Sequence, residues 1–348
     1  MKKGKVGFYG GKFLPLHQGH VYMITRAACM VDELYVVLSY SKIRDEKLVE
    51  KGNIKKLPCE LRLRWLSQMT KDMENVKVLA VEDFAESDES YDWVQGAREI
   101  KKAIGKPIDV VFGSEESYRR IFNQLYHNAQ YEVIDPSRKM VPISATQIRT
   151  DGPFKHWEYI PNAAKSYFVK TVAIVGTESC GKSTLTRYLA AVFNTTYTEE
   201  YGRIVTDELG GCENIMTAED YYRIQYGHKM KEEEAKRKAN KVTFIDSEAI
   251  VTQYYAKLYN KEQYPLIEEI VNTQHYDLWL FLETDVLWVD DGTRTFGEEA
   301  VRQENNRLLK EILDKRNIRY EIIDGGYEER FCKAYDLVSR ILLTPKHA

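Results

Sequence analysis

Residues Gly176-Thr177-Glu178-Ser179-Cys180-Gly181-Lys182-Ser183-Thr184 spell a complete phosphate-binding loop, G-x-x-x-x-G-K-S/T, set between the apolar run Val169 to Val175 and an apolar-periodic stretch that opens at Lys182. A strand running into such a loop and then into a helix is the context this motif requires. Gly176 and Gly181 let backbone N–H groups converge on phosphate oxygens. Lys182 reaches the β and γ phosphates, and Ser183, followed by Thr184, offers a hydroxyl to Mg²⁺. The stretch therefore dictates a parallel α/β sheet around it, with ATP or GTP bound at the loop.

Downstream, the apolar run Val242-Thr243-Phe244-Ile245 ends in Asp246, a carboxylate at the carboxyl end of a strand beside the loop. It suits two roles, Mg²⁺ partner through water or base for an acceptor hydroxyl, and the residues alone do not choose between them. Glu200-Tyr201-Gly202-Arg203 follows an expected second strand, where Glu200 and Arg203 are candidates to hold the acceptor. After the strand Leu278 to Leu282 comes Asp285-Val286-Leu287-Trp288-Val289-Asp290-Asp291-Gly292-Thr293-Arg294, where kinases of nucleosides and nucleotides carry the lid over ATP. Arg294 and, in the helix beyond, Arg302 are candidates to neutralise the transferred phosphoryl group. Trp288 offers a flat surface to an aromatic base.

A second nucleotide signature lies in the first half. The strand Val6 to Tyr9 runs into Gly10-Gly11-Lys12-Phe13-Leu14-Pro15-Leu16-His17-Gln18-Gly19-His20. His17 and His20 are three residues apart, so both can face one phosphate-sized space at a helix N-terminus. That arrangement suits nucleotidyl transfer, in which an attacking phosphate displaces pyrophosphate and the protein positions the groups and stabilises charge. Gly11, Phe13, Pro15, His17, Gly19 and His20 resemble the ATP-binding signature of the H-x-G-H nucleotidyltransferase superfamily. Ile143-Ser144-Ala145-Thr146-Gln147-Ile148-Arg149, after the fifth strand, resembles that family's I-S-x-T-x-x-R element. Ser144 and Thr146 would cap a helix and bind phosphate oxygens, with Arg149 a further charge on ATP. Lys12 reads either as a phosphate contact or as a solvated lysine. Trp93, in Tyr91-Asp92-Trp93, could stack on an aromatic ring of a substrate, though packing explains it more simply.

At 348 residues the chain exceeds what one core usually serves. Strands alternate with helical periods twice over, so the fold class is α/β with two parallel-sheet domains, a Rossmann-like N-terminal domain and a C-terminal P-loop kinase domain. The joint is Asp151-Gly152-Pro153 to Pro161-Asn162, and the boundary is expected near Ala164, giving domains 1–164 (linker 151–164) and 165–348. Phe154, Trp157 and Tyr159 make this linker one that packs rather than swings. The net charge of −3, evenly interspersed, offers no footprint for nucleic acid or a membrane surface. Five widely spaced cysteines without a C-x-x-C pair suggest neither disulfides nor zinc and fit a reducing cytoplasm. No stretch has signal-peptide or membrane-spanning length. Oligomeric state is left open, a homo-oligomer included.

Taken together, the G-K-F form of the first signature, Glu200 to Arg203, the Trp288/Asp291/Arg294 spacing and Trp157-Glu158-Tyr159-Ile160-Pro161 resemble the bifunctional NadR-type nicotinamide-mononucleotide adenylyltransferase and ribosylnicotinamide kinase family, over Lys5 to about Leu343. The resemblance implies small-molecule partners: nicotinamide riboside is phosphorylated and the mononucleotide adenylylated to NAD, both with Mg·ATP. Leu287 departs from an expected proline. Enterobacterial members also carry an N-terminal helix-turn-helix repressor domain, and this chain opens a few residues before its first strand, so DNA binding is not expected. Two rivals are weighed. A fused pantetheine-phosphate adenylyltransferase and dephospho-coenzyme-A kinase shares the domain order but has no use for Trp288. A nucleotide sensor without turnover would not need the full set of charged groups.

Overall fold

The computed structural model describes residues 4–211, 215–287 and 298–343. The chain divides between Phe168 and Val169 into two compact units.

In the first unit the elements run β1 (Val6–Gly11), α1 (Gln18–Ala28), β2 (Glu33–Tyr40), α2 (Lys42–Glu50), α3 (Cys59–Thr70), β3 (Val76–Glu82), α4 (Trp93–Ile104), β4 (Val110–Gly113), α5 (Arg119–Leu125), β5 (Gln130–Val133), α6 (Ala145–Asp151) and α7 (Asn162–Phe168). The five strands form one parallel sheet in the order β3-β2-β1-β4-β5. The consecutive apolar residues Leu34 to Leu38 are buried, as expected of a strand covered on both faces. Helix α4 turns Ala97, Ile100 and Ile104 inward at helical spacing, while Asp92 caps it by accepting from Val94 and Gln95 N–H. The linker packs on this unit. Trp157 and Ile160 are buried, and Phe168 and Tyr167 of α7 lie with ring centroids 5.9 and 5.7 Å from that of the buried Trp65 of α3.

The second unit runs β6 (Lys170–Val175), α8 (Lys182–Val192), β7 (Thr196–Thr198), α9 (Tyr201–Leu209), α10 (Ala218–Lys238), β8 (Val242–Asp246), α11 (Ala249–Asn260), α12 (Pro265–Thr273), β9 (Leu278–Leu282), α13 (Glu299–Lys315), β10 (Glu321–Ile323) and α14 (Tyr327–Leu343). Its sheet is again parallel and five-stranded, in the order β10-β9-β6-β8-β7. Every residue of β6 is buried, and helices cover both faces of the sheet in two apolar clusters, one around Phe281 and Leu309, the other around Leu189 and Phe244. In each unit the chain reverses direction across the sheet at the central strand. Beyond the carboxyl ends of β1 and β6 a crevice therefore opens between diverging connections.

Candidate active sites

The first crevice starts where β1 ends. Phe13 takes a left-handed backbone conformation (φ 46°) and is buried, its ring 4.9 Å from that of His20. His17 is the N-cap of α1, a place usually held by Ser, Thr, Asp or Asn. Its Nδ1 accepts the Gly19 N–H at 3.1 Å, and Nδ1 of His20 accepts the His17 N–H at 3.3 Å, a capping box built from two imidazoles. The rings stack with centroids 3.7 Å apart. A side chain at position 19 would place its Cβ 2.9 Å from the His17 ring, so the glycine of H-x-G-H is demanded by the imidazole that caps the helix.

This cap settles the tautomer. A ring nitrogen that accepts a backbone N–H carries no proton, so both imidazoles hold theirs on Nε2. Burial, aided by the Arg138 charge, pulls His17 down to about 3. Burial, then the charges of His17 and Arg138, holds His20 well below its ordinary value. At neutral pH the pair is thus two uncharged N–H donors.

The second element docks on the first. Ser144 caps α6 in a reciprocal capping box with Gln147. Buried Arg149 donates to the Leu14 carbonyl at 2.5 Å and to the Thr146 hydroxyl at 3.1 Å, tying the two motifs together across 135 residues of sequence. A cavity of about 440 Å³ is lined by Gly11, Lys12, His17, His20, Ser144, Thr146 and Arg149. Lys12 is paired with Asp88 at 2.5 Å. Trp93 stands in the same cavity wall, edge-on to Tyr91 and tilted 5.3 Å from Tyr118.

Two cavity arginines were not found by sequence reasoning. Arg44, in the first turn of α2, is buried against Asp45 and Asp83, its Nη2 3.0 Å from Asp45 Oδ1 and its Nη1 2.8 Å from Asp83 Oδ1. Arg138, in the loop after β5, adopts φ 49° and supplies the positive charge felt by both histidines. Neither belongs to a short motif. The available signal is placement, each following the carboxyl end of a strand that neighbours the crevice.

In the second unit Gly176 (φ 150°) leaves no room for a Cβ, which would meet the Leu282 carbonyl at 2.9 Å, and Gly181 (φ 89°) caps α8. Lys182 is buried and folds over the loop, its Nζ donating to the Thr177 carbonyl at 2.8 Å. Asp246 ends β8, the direct neighbour of β6. Burial and the nearby Glu200 push its carboxyl up to about 6, against the Lys182 charge and a hydrogen bond from Ser183. Its Oδ1 is buried without a partner. A carboxylate and a hydroxyl meeting at the phosphate end of a P-loop fit a hard cation such as Mg²⁺. Among the described residues no three acidic, His or Cys side chains gather around a metal-sized space, so phosphate oxygens would complete its shell.

A cavity of about 260 Å³ brings Lys182, Ser183, Thr184, Glu200 and Arg203 together. It also draws in Glu178, Tyr255 and Tyr259, which sequence reasoning missed. The Tyr259 hydroxyl donates to Glu178 at 2.9 Å, and the Tyr255 and Tyr259 rings are near parallel one helical turn apart. Arg302 does not line this cavity but is buried beside it, donating to Glu299 and to the Val286 carbonyl at 3.0 Å each and facing Thr177 and Glu178 of the phosphate loop, with Tyr254. Its helix α13 turns that face of the residue into the protein, which the charged pattern of the sequence does not announce. Trp288, Asp291 and Arg294 lie outside the described residues. No helix among the described residues is long and apolar enough to cross a membrane.

Known proteins match both units. The cytidylyltransferase-like family matches residues 8–151, and the AAA domain family matches residues 171–330. The trifunctional NAD biosynthesis/regulator protein NadR of Escherichia coli (strain K12) is 37% identical over 347 residues, 98% of this chain and 84% of that protein. Of solved structures, that of NadR protein in complex with NR superposes with a TM-score of 0.80 at 27% identity, covering 98% of this chain and 96% of that one. The structure of NadR protein in complex with NAD and AMP-PNP gives 0.78 at 27% identity over 97% and 96%.

Proposed function

The chain belongs to the NadR family, and from that membership we propose that it performs two successive ATP-dependent steps of NAD formation. The second unit phosphorylates nicotinamide riboside, and the first adenylylates the resulting mononucleotide. The observation that carries this reading is that chain-long likeness to a protein crystallised with NR, and with NAD and AMP-PNP, coincides with a cavity lined by phosphate-binding motif residues in each unit.

In the kinase step the 5′-hydroxyl oxygen bonds to the γ-phosphorus of ATP, the bond to the β-bridging oxygen breaks, and ADP leaves. Lys182 and the loop N–H groups draw charge from the phosphates. Asp246 stands where it can take the hydroxyl proton or, with Ser183, hold Mg²⁺, which when bound offsets phosphate charge and orients the transferred group. Glu200 and Arg203, with Glu178, form the acceptor side of the cavity. From sequence, Trp288 and Asp291 would complete that side, and Arg294 would neutralise charge on the transferred phosphoryl group.

In the adenylyl step a phosphate oxygen of the mononucleotide bonds to the α-phosphorus of a second ATP, and the bond to the bridging oxygen of pyrophosphate breaks. No proton need be removed from the attacking phosphate. The task is to stabilise charge, and the two Nε2–H groups of His17 and His20, with Lys12, Ser144, Thr146 and Arg149 around them, do so without carrying a titrating proton. Gly11 lines the cavity, Phe13 backs the His20 ring from beneath it, and Trp93 offers a ring face to the nicotinamide.

Incubation of the protein with nicotinamide riboside and ATP, with nucleotides resolved by chromatography over time, tests the proposal. The mononucleotide should form first and NAD follow. Absence of the mononucleotide with intact formation of NAD from supplied mononucleotide would remove the kinase assignment alone.

A further inference from the structure

Arg330 lies in the first turns of α14, 150 residues from the P-loop in sequence, and is 2% exposed. Its guanidinium is spent almost wholly on backbone carbonyls. Nη1 donates to Cys180 O at 2.6 Å, Nε to Gly325 O at 2.8 Å and Nη2 to Glu283 O at 3.0 Å, and Nη2 also meets the Asp285 carboxylate. Asp285 in turn accepts the Gly325 N–H at 2.7 Å. One side chain thus pins the ends of three loops, those after β6, β9 and β10, at the edge of the sheet where the nucleotide cavity opens.

The contact to Cys180 has a consequence for the P-loop. In a trans peptide the carbonyl and the following N–H point in opposite directions. Holding the Cys180 carbonyl toward Arg330 therefore turns the Gly181 N–H away from it. Gly181 has no side chain to resist rotation of this peptide and sits at φ 89°, so the loop itself does little to fix the plane. A planar fork with five donors can satisfy three carbonyls in fixed directions; an ammonium on a flexible stem cannot.

We infer that Arg330 is a positioning residue that sets the P-loop for ATP by fixing the Cys180–Gly181 peptide and the flanking loops, through geometry rather than through charge at the phosphates. The inference rests on the reading above that this unit binds ATP as a kinase. It assigns to α14 a part in nucleotide affinity.

The test uses the full chain as wild type, Arg330→Lys and Arg330→Ala, with equilibrium binding of a fluorescent ATP analogue. The P-loop share of binding is defined as that lost in Lys182→Ala. Loss of two or more charge-assisted hydrogen bonds should weaken that share by about tenfold or more in both variants, since each tenfold is about 1.4 kcal/mol. The Michaelis constant for ATP in the kinase step should rise in parallel, while that for nicotinamide riboside stays within about twofold. NAD formation from supplied mononucleotide, carried by the other unit, should not change. Arg330→Lys with wild-type affinity would overturn the inference, because charge would then suffice. A parallel rise in both Michaelis constants would also overturn it, as a general loosening of the fold. Should Arg330→Ala fail to give a cooperative thermal transition for this unit, Arg330→Lys, whose stem fills the same space, decides alone. Dependence of P-loop binding on Arg330 in a protein that does not turn over nicotinamide riboside would leave the clamp standing and refute the kinase reading instead.

Discussion

Replacing His17 by Asn separates what that residue does for the fold from what it does for chemistry. The His17 ring makes one structural hydrogen bond, accepting the Gly19 N–H at 3.1 Å as the cap of α1. An Asn carbonyl oxygen can take over that bond, and Asn is among the preferred capping residues. What it cannot supply is the Nε2–H that the capped imidazole directs elsewhere. His17→Asn should therefore hold its unfolding free energy within about 1 kcal/mol of wild type, while His17→Ala, which strands the N–H, should lose roughly 0.5–2 kcal/mol. Both should lower the rate of NAD formation from supplied mononucleotide by about a hundredfold or more, the usual effect of deleting one donor to developing charge. Thermal unfolding and a quenched chromatographic assay measure the two quantities on the same preparations. A His17→Asn protein within about threefold of the wild-type rate would refute the assignment, since a lost transition-state donor cannot cost so little. The pH profile gives a second check. Because burial holds His17 down to about 3, its neutral form persists across ordinary assay conditions, and no rate limb near the free imidazole value should appear. For stability the sign is that of a depressed group: its contribution is complete above about 6.5 and is lost as pH falls toward about 3.

Lys182→Ala should abolish phosphorylation of nicotinamide riboside and leave adenylylation of supplied mononucleotide near wild type, because the two sites lie in separate compact units; loss of both in a folded protein would sink that division. Trp65→Ala removes a buried ring packed on Tyr167 and Phe168 and should destabilise the first unit by about 3–5 kcal/mol, read as earlier denaturant loss of NAD formation than of kinase activity. Glu248 caps α11 from a fully buried position, and burial raises its carboxyl to about 7 despite the N–H groups of Ile250 and Val251. Its raised value means stability that is complete below about 4.5 and lost as pH rises through about 7, so melting of the second unit should fall over that range in wild type and flatten in Glu248→Gln. An unchanged slope in that variant would show that another group carries the dependence.

The parts of this protein legible in one dimension are those whose physics is local. Leu34 to Leu38 and Val172 to Val175 are unbroken apolar runs, as a strand buried on both faces requires, and both lie in interior strands of their sheets. Gly176 to Thr184 and Gly11 to His20 carry their chemistry within a single turn, so the ligand class could be read before the fold. The family resemblance drawn from those motifs agrees with likeness along nearly the whole chain.

What the tertiary structure decided was direction and partnership. That His17 and His20 cap the helix with Nδ1, and so present N–H donors, depends on ring orientations that spacing alone leaves free. That Arg302 is buried and donates to Val286 O and Glu299, facing the loop residues Thr177 and Glu178, depends on the packing of α13. Arg44 is held by Asp83 from 39 residues away, Glu178 by Tyr259 from 81, and Arg330 reaches Cys180 across 150. Such contacts leave no periodic or local trace, because a buried charge is placed by whichever carbonyls and carboxylates the fold brings to it, and a sequence orders residues along the chain without ordering them in space.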